Sequence, residues 1–171
     1  MALTKLNLAG GVTGTLPTSN YVDSGKILKV QSSSPTSDSN TTSSSFSTYH
    51  TDGYNPVASN STLFVMVSFC YQIYGNSSTS NGTASINISS EESGVTERAR
   101  QSMQNNSMGN SNTYYHEGSG SISAFWQHAT SSTFDIHIRI ATMGAGRLKM
   151  LTNESSNIIN GVRMTIMEIG A

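Results

Sequence analysis

Histidine, serine and carboxylate side chains are the groups of this sequence whose types could support chemistry. The histidines His50, His116, His128 and His137 lie far apart, and no His-x-His or His-x-x-x-His pair occurs. This spacing predicts no metal-ligand set. His128 and His137 fall on strand-like segments, where we expect solvated or interface histidines. In an oligomer with a threefold axis, His137 side chains could instead meet and bind an ion.

The serines and carboxylates form no recognisable catalytic motif. No Gly-x-Ser-x-Gly nucleophile elbow occurs. Residues 118–121 (GSGS) and 144–146 (GAG) lack the lysine and helix context of a phosphate-binding loop, so we interpret their glycines as hairpin glycines. Glu91 and Glu92 could supply a glycosidase carboxylate pair, but adjacent strand residues point to opposite faces of a sheet. The sequence therefore predicts a protein that is not an enzyme and has no metal or cofactor.

Composition indicates the fold class and excludes nucleic acid as a partner. The 171 residues include 31 serines, 19 threonines and 15 asparagines, whereas only 11% of residues are charged and the formal net charge is -1. Small polar residues disfavour long helices, while threonine suits strands and serine and asparagine suit turns. No basic excess is present to neutralise a phosphate backbone. We expect an all-β domain that does not bind DNA or RNA.

The apolar segments do not predict a membrane protein. The longest apolar-rich run, Leu63–Tyr74, is shorter than the roughly 20 residues that a helix needs to span a bilayer. Residues 1–11 (MALTKLNLAGG) lack the basic start and unbroken apolar stretch of a signal peptide. Cys70 is the only cysteine, so no intramolecular disulfide can form. We expect a soluble protein that is not exported by a cleaved signal.

The segment Leu63–Tyr74 has the clearest strand pattern. All its odd positions are apolar, which predicts a strand with one fully buried face. The other face carries Phe64, Met66, Cys70 and Tyr74. We therefore predict that a neighbouring subunit or a loop covers this face, and these residues are the predicted oligomer interface.

A second segment, Thr133–Ile140, alternates equally well. Its apolar residues form one face, and the other face, which includes His137, meets water or a polar interface. Ser121–His128 precedes it across a connection of turn-forming residues, 129–132, which predicts a hairpin.

Further strands are expected at Lys26–Gln31, Thr83–Ser89, Arg147–Leu151 and Val162–Ile169. Residues 32–47 predict a loop and then a strand, and residues 91–111 predict two strands around a loop. With about eight strands at such spacing, the economical architecture is an antiparallel, jelly-roll-like β-sandwich.

Two regions fall outside this pattern. Residues 1–25 have few large side chains and are predicted to be an extended segment that precedes the sandwich domain, residues 26–171. Tyr114 and Tyr115 offer aromatic surfaces on which sugars could stack, which would suit receptor contact, although packing explains them equally well.

Several motifs, in order, resemble virion proteins of tailed bacteriophages, many of them marine. Leu6–Pro17 (LNLAGGVTGTLP) is similar to the "NLA..VTGTLP" segment of tail-fibre and related proteins, and Gly25–Gln31 to the "GKVLQVVQ" that follows it there. Ser61–Tyr71 resembles a "SKILVMVSVSY" strand, and Met164–Ala171 resembles a terminal "ITVMEIGA". The sequence departs from this family in its Ser/Thr tract and by inserting residues 49–56.

The resemblance implies a β-sandwich on a virion surface, often trimeric, with an N-terminal part that docks onto other virion proteins. Our leading hypothesis is a tail-fibre-like module that binds a host surface glycan or receptor. The alternatives are a capsid decoration protein that stabilises the shell and, from another class, a polysaccharide depolymerase domain. The predicted attachment residues are Leu6, Leu8, Val12, Leu16 and Pro17.

Overall fold

A computed structural model describes residues 25–75, 82–105, 115–144, 146–152 and 161–171. Apart from Gly25, the predicted N-terminal segment lies outside these ranges. The described residues form ten strands: β1 (Ile27–Ser33), β2 (Ser39–Thr41), β3 (Ser47–Tyr54), β4 (Thr62–Tyr74), β5 (Gly82–Ser90), β6 (Thr96–Asn105), β7 (Tyr115–Gln127), β8 (Phe134–Thr142), β9 (Arg147–Leu151) and β10 (Arg163–Ile169). Within these ranges, no helix is both long and apolar enough to cross a membrane.

The strands form two antiparallel sheets. In the six-stranded sheet, β4 pairs with β7 along one side and with β10 and then β9 along the other. β1 pairs with β10, and β2 pairs with β9. β9 and β10 therefore occupy one strand position in the sheet, and β1 and β2 occupy the next. The four-stranded sheet has the order β3-β8-β5-β6. This alternation of the chain between sheets is that of a jelly roll, which confirms the predicted fold class.

The core lies between the two sheets. As the alternation predicts, Leu63, Val65 and Val67 of β4 point inward and are fully buried, as are Ile86 of β5 and Ile138 of β8 from the opposite sheet. Burying each such aliphatic side chain contributes about 1.5–3 kcal/mol. The inward faces of both sheets therefore supply one continuous hydrophobic cluster.

Two connections differ from the sequence-based expectation. β7 pairs with β4 in the six-stranded sheet, whereas β8 pairs with β3 and β5 in the other, so the predicted β7–β8 hairpin is wrong. Residues 128–133 instead cross between the sheets. Turn-forming residues suit a short connection whether it joins two strands of one sheet or crosses to the other sheet. The residue types of this connection therefore do not distinguish a hairpin from a crossover. Of residues 91–111, the described part contains a turn and one strand, β6, paired with β5.

Gly118 and Gly120 lie within β7, and their assignment to a hairpin turn is also wrong. A Cβ on Gly118 would come within 2.6 Å of the Tyr71 ring, and a Cβ on Gly120 within 2.9 Å of the Phe69 ring. Both rings come from the register partners on β4. Glycine is needed at these positions because any side chain would occupy the space of an aromatic ring.

A carboxylate is buried among the inward-facing residues of β10. Glu168 is fully buried and accepts hydrogen bonds from the hydroxyl groups of Tyr54 (2.7 Å) and Ser61 (2.6 Å). It also accepts from the backbone N–H groups of Val57 (2.8 Å) and Ala58 (2.9 Å). These donors belong to the end of β3 and the β3–β4 connection. The carboxylate therefore ties a crossover between the sheets to β10.

These contacts decide the charge of Glu168. Burial opposes ionisation, but the hydrogen bonds from Ser61, Val57, Tyr54 and Ala58 outweigh it and hold the pKa of Glu168 below its ordinary value. Burial, followed by the hydrogen bond to Glu168, raises the pKa of Tyr54. At neutral pH an ionised carboxylate therefore accepts from a protonated phenol.

We expect Glu168→Gln to lower the free energy of unfolding by about 2–4 kcal/mol at pH 7, because the amide presents a donor where donors converge. A depressed carboxyl pKa contributes stability above the unfolded-state pKa, and this stability is lost as pH falls through the folded-state pKa. The difference between wild type and variant should therefore shrink below pH 4.5. Urea unfolding across this range measures it.

The matched control is Glu117→Gln, which changes an exposed carboxylate on β7. It should alter stability by no more than about 0.5 kcal/mol. Equal effects of the two substitutions, or a Glu168→Gln effect that does not vary with pH, would contradict the assigned role.

Candidate functional site

The outer face of the six-stranded sheet carries a row of apolar side chains across neighbouring strands. Val30 of β1 lies opposite Met167 of β10, Met167 lies opposite Phe64 of β4, and Phe64 lies opposite Phe125 of β7. Opposed residues of antiparallel strands point to the same side, with Cβ atoms about 4.5–5.5 Å apart. The row is therefore a continuous strip rather than scattered residues.

Further apolar residues widen this strip. The pair Ile27 and Ile169 lies on one side of it, and Met66 lies on the other. Four of the residues are substantially exposed: Ile27 (54%), Val30 (56%), Met66 (42%) and Phe125 (68%). We call the apolar patch the set Ile27, Val30, Phe64, Met66, Phe125, Met167 and Ile169. This contiguous exposed apolar surface is the candidate functional site of the fold.

The four residues of the predicted oligomer interface do point outward from β4, but their surroundings differ. Phe64 and Met66 belong to the apolar patch. Cys70 and Tyr74 lie further along the strand, where Arg147 stacks 3.8 Å above the Tyr74 ring centroid and the Tyr74 hydroxyl donates to Gln72 (3.0 Å). Burial raises the pKa of the Cys70 thiol, which disfavours the reactive thiolate. This end of the face is therefore polar.

The remaining predicted site residues are only partly described. Leu6, Leu8, Val12, Leu16 and Pro17 of the attachment segment lie outside the described residues, as does Tyr114. Tyr115 begins β7 and is the register partner of Tyr74. The backbone N–H of Gly25 donates to the carbonyl of Gly170 (2.9 Å). The chain thus enters the sandwich at the β1–β10 edge, beside the patch residue Ile27.

Sequence reasoning missed the patch residues that lie outside β4. Met167 and Ile169 alternate with the buried Met164 and Ile166, so β10 has apolar residues on both faces. Apolar residues on both faces of β10 could have predicted from the sequence that its outer face is apolar. The contribution of Phe125 was not predictable, because it depends on the pairing of β7 with β4 in this register.

Residue types of a hydrolase triad meet elsewhere in the fold, at the buried carboxylate. The Ser61 hydroxyl lies 2.6 Å from His128 Nε2 and 2.6 Å from Glu168, and all three residues are fully buried. In a triad the carboxylate binds the second ring nitrogen. Here His128 Nδ1 lies 2.8 Å from the carbonyl oxygen of Thr130. The group is a structural hydrogen-bond network, and the expectation that His128 is solvated or at an interface is wrong.

The carboxylates considered for glycoside cleavage have separate partners. Glu92 accepts hydrogen bonds from Arg98 (3.0 Å) and the Trp126 indole N–H (2.6 Å). Glu91 lies beside His137, 3.0 Å from its Nε2. His137 is only 6% exposed, so it too is buried rather than solvated as expected.

No protein-family model matches this sequence, and no curated protein is significantly similar to it. The functional inference therefore depends on the residues of this chain.

Fluorophosphonates label activated serine nucleophiles. We expect Ser61 not to react with such a reagent, because the Ser61 hydroxyl is buried and donates a hydrogen bond to the Glu168 carboxylate. Intact-protein mass spectrometry of the folded chain should show no adduct. A stoichiometric adduct on the wild type that Ser61→Ala removes would contradict the structural role of this network.

Proposed function

We propose that this protein is a non-enzymatic structural protein of a tailed-phage virion. In this proposal it is a tail-fibre-like or receptor-binding module that assembles into a homo-oligomer. The observation that carries the proposal is the apolar patch on the outer face of the six-stranded sheet. A chain with only 11% charged residues and an outer sheet face of this kind has a surface suited to assembly.

The partner that best fits the patch is a second copy of the chain. The patch contains only aliphatic, aromatic and thioether side chains, so the same surface on a second copy is complementary to it without unpaired charges. Burying each exposed side chain against a partner is favourable by up to about 1.5–3 kcal/mol. This gain offsets the loss of translational and rotational freedom on association. Closed symmetric assemblies are the common outcome of such contacts, and the phage resemblance favours a trimer.

The virion assignment is supported by the ordered motifs that resemble phage tail-fibre proteins, together with the jelly-roll fold. Residues 1–25 would attach the module to other virion proteins. The rest of the sandwich would face the host surface, where several copies on one particle make weak contacts with a glycan or receptor collectively strong.

We expect the purified chain to be an oligomer in solution, with a mass of at least two times the 18.2 kDa of one chain. Phe125→Ser combined with Val30→Ser should weaken this association by at least about tenfold, since each substitution removes apolar burial worth more than about 1 kcal/mol. Light scattering coupled to size-exclusion chromatography over a dilution series measures both quantities.

The matched control is Val95→Ser, which removes an exposed valine (53%) from the β5–β6 turn, outside the patch. It should leave the solution mass unchanged. A monomeric wild type at every concentration, or equal dissociation by the control, would overturn the assembly surface.

The location on the particle is tested by the copy number of this chain relative to the major capsid protein in purified virions. We expect a small fraction of the capsid copy number, as a tail component requires. A copy number comparable to that of the capsid protein would instead identify a decoration protein that stabilises the shell by mass action. Absence from the virion would overturn the virion assignment.

A further inference from the structure

Three side chains that can bind a metal converge on the outer face of the four-stranded sheet. Asp135 and His137 are alternate residues of β8 and therefore point to the same side. Glu91 follows β5 directly, and its backbone N–H donates to the carbonyl of Asp135 (2.9 Å). One donor atom from each of the three side chains lies within 4.8 Å of the other two. This group is separate from the apolar patch, which lies on the other sheet.

His137 is held in an orientation suited to metal binding. Its Nδ1 lies 2.9 Å from the hydroxyl of Thr51, its partner in the β3–β8 ladder. The tautomer that carries its proton on Nδ1 donates to Thr51 and leaves a lone pair on Nε2. Such a hydrogen bond at one ring nitrogen is the usual support for metal binding at the other.

The Nε2 atom of His137 is buried and has no hydrogen-bond partner. Glu91 Oε1 is 3.0 Å away, an ion-pair distance, but it does not complete a hydrogen bond with this nitrogen. The His137 side chain is only 8% exposed. A buried, unpartnered nitrogen aimed at a carboxylate costs about 1–3 kcal/mol unless something else satisfies it.

The same part of the sheet contains further unpartnered polar atoms. Ser89 is the register partner of His137 on β5 and is fully buried, and its hydroxyl has no hydrogen-bond partner. Asn87 Oδ1, two residues away on the same face, is also unpartnered. Among the described residues, only Asp52 Oδ2 joins these three atoms as a buried side-chain atom without a partner. These unpartnered polar atoms close to His137 favour a bound ion, because water molecules on the ion could hydrogen-bond to them.

We propose that Glu91, Asp135 and His137 bind a divalent transition-metal ion, with Zn²⁺ as the best fit. One imidazole nitrogen with two carboxylate oxygens suits Zn²⁺, whereas Ca²⁺ and Mg²⁺ prefer ligand sets made entirely of oxygen. A tetrahedral ion with bonds of about 2.0–2.2 Å holds its ligand atoms roughly 3.4 Å apart, so the 3.0 Å between Glu91 Oε1 and His137 Nε2 must open slightly. Glu91 supplies this movement because its side chain is 43% exposed and lies in a turn.

Three protein ligands leave a coordination position for water or for a group from another molecule. The ion would join the turn after β5 to β8 and so stabilise the four-stranded sheet. This site does not depend on the proposed assembly, because none of its residues belongs to the apolar patch.

The test is a titration of Zn²⁺ into the full-length, tag-free chain after treatment with a chelator, followed by calorimetry and by the thermal unfolding midpoint Tm. We expect saturable binding of one Zn²⁺ per chain and a Tm that rises with Zn²⁺ concentration. Ca²⁺ and Mg²⁺ should bind much more weakly. Absence of saturable Zn²⁺ binding would identify the group as a His137–Glu91 ion pair and overturn the proposal.

The variants His137→Asn and Glu91→Gln should each weaken Zn²⁺ binding by at least about tenfold. Glu91→Gln changes a partly exposed residue, so it remains informative where replacement of the buried histidine impairs folding. The matched control is His116→Asn, an exposed histidine on β7, which should bind Zn²⁺ like the wild type. Binding that survives Glu91→Gln unchanged, or that His116→Asn abolishes, would overturn the assignment.

Discussion

The two-sided strand β4 is the constraint on which the rest of the structure depends. Its inward face, Leu63 to Ile73, fills the core, and its edges pair with β7, β10 and β9. Its outward face begins with Phe64 and Met66, which no described part of the chain covers fully. One face is buried within the described chain, whereas the other remains partly exposed there. In the proposed assembly, the same strand would contribute to folding through one face and to self-association through the other.

The outer faces of the two sheets differ in chemistry. The six-stranded sheet presents the apolar patch, which suits a second copy of the chain. The four-stranded sheet presents buried polar atoms around His137, which suit an ion. A sandwich that uses one outer face for assembly leaves the other available for a separate role. The proposed virion function and the proposed metal site therefore occupy different surfaces and can be tested independently.

Burial decides which polar clusters can do chemistry. Ser61, His128 and Glu168 have the residue types of a triad, but full burial and the wrong contact at the histidine make them structural. Ionised Glu168 is tolerated inside the sandwich because four donors satisfy it. Residue types alone were therefore an insufficient guide to catalysis.

The sequence by itself determined the all-β class, the buried face of Leu63–Tyr74 and the outward position of Phe64 and Met66. Alternation is a local property, since successive strand residues point to opposite sides whatever the partner. Only the tertiary structure decided that β7 and β8 lie in different sheets, that Phe125 and Val30 extend the patch, and that Glu91 meets His137. These outcomes depend on strand pairing and register between residues far apart in the chain, and no local pattern encodes them.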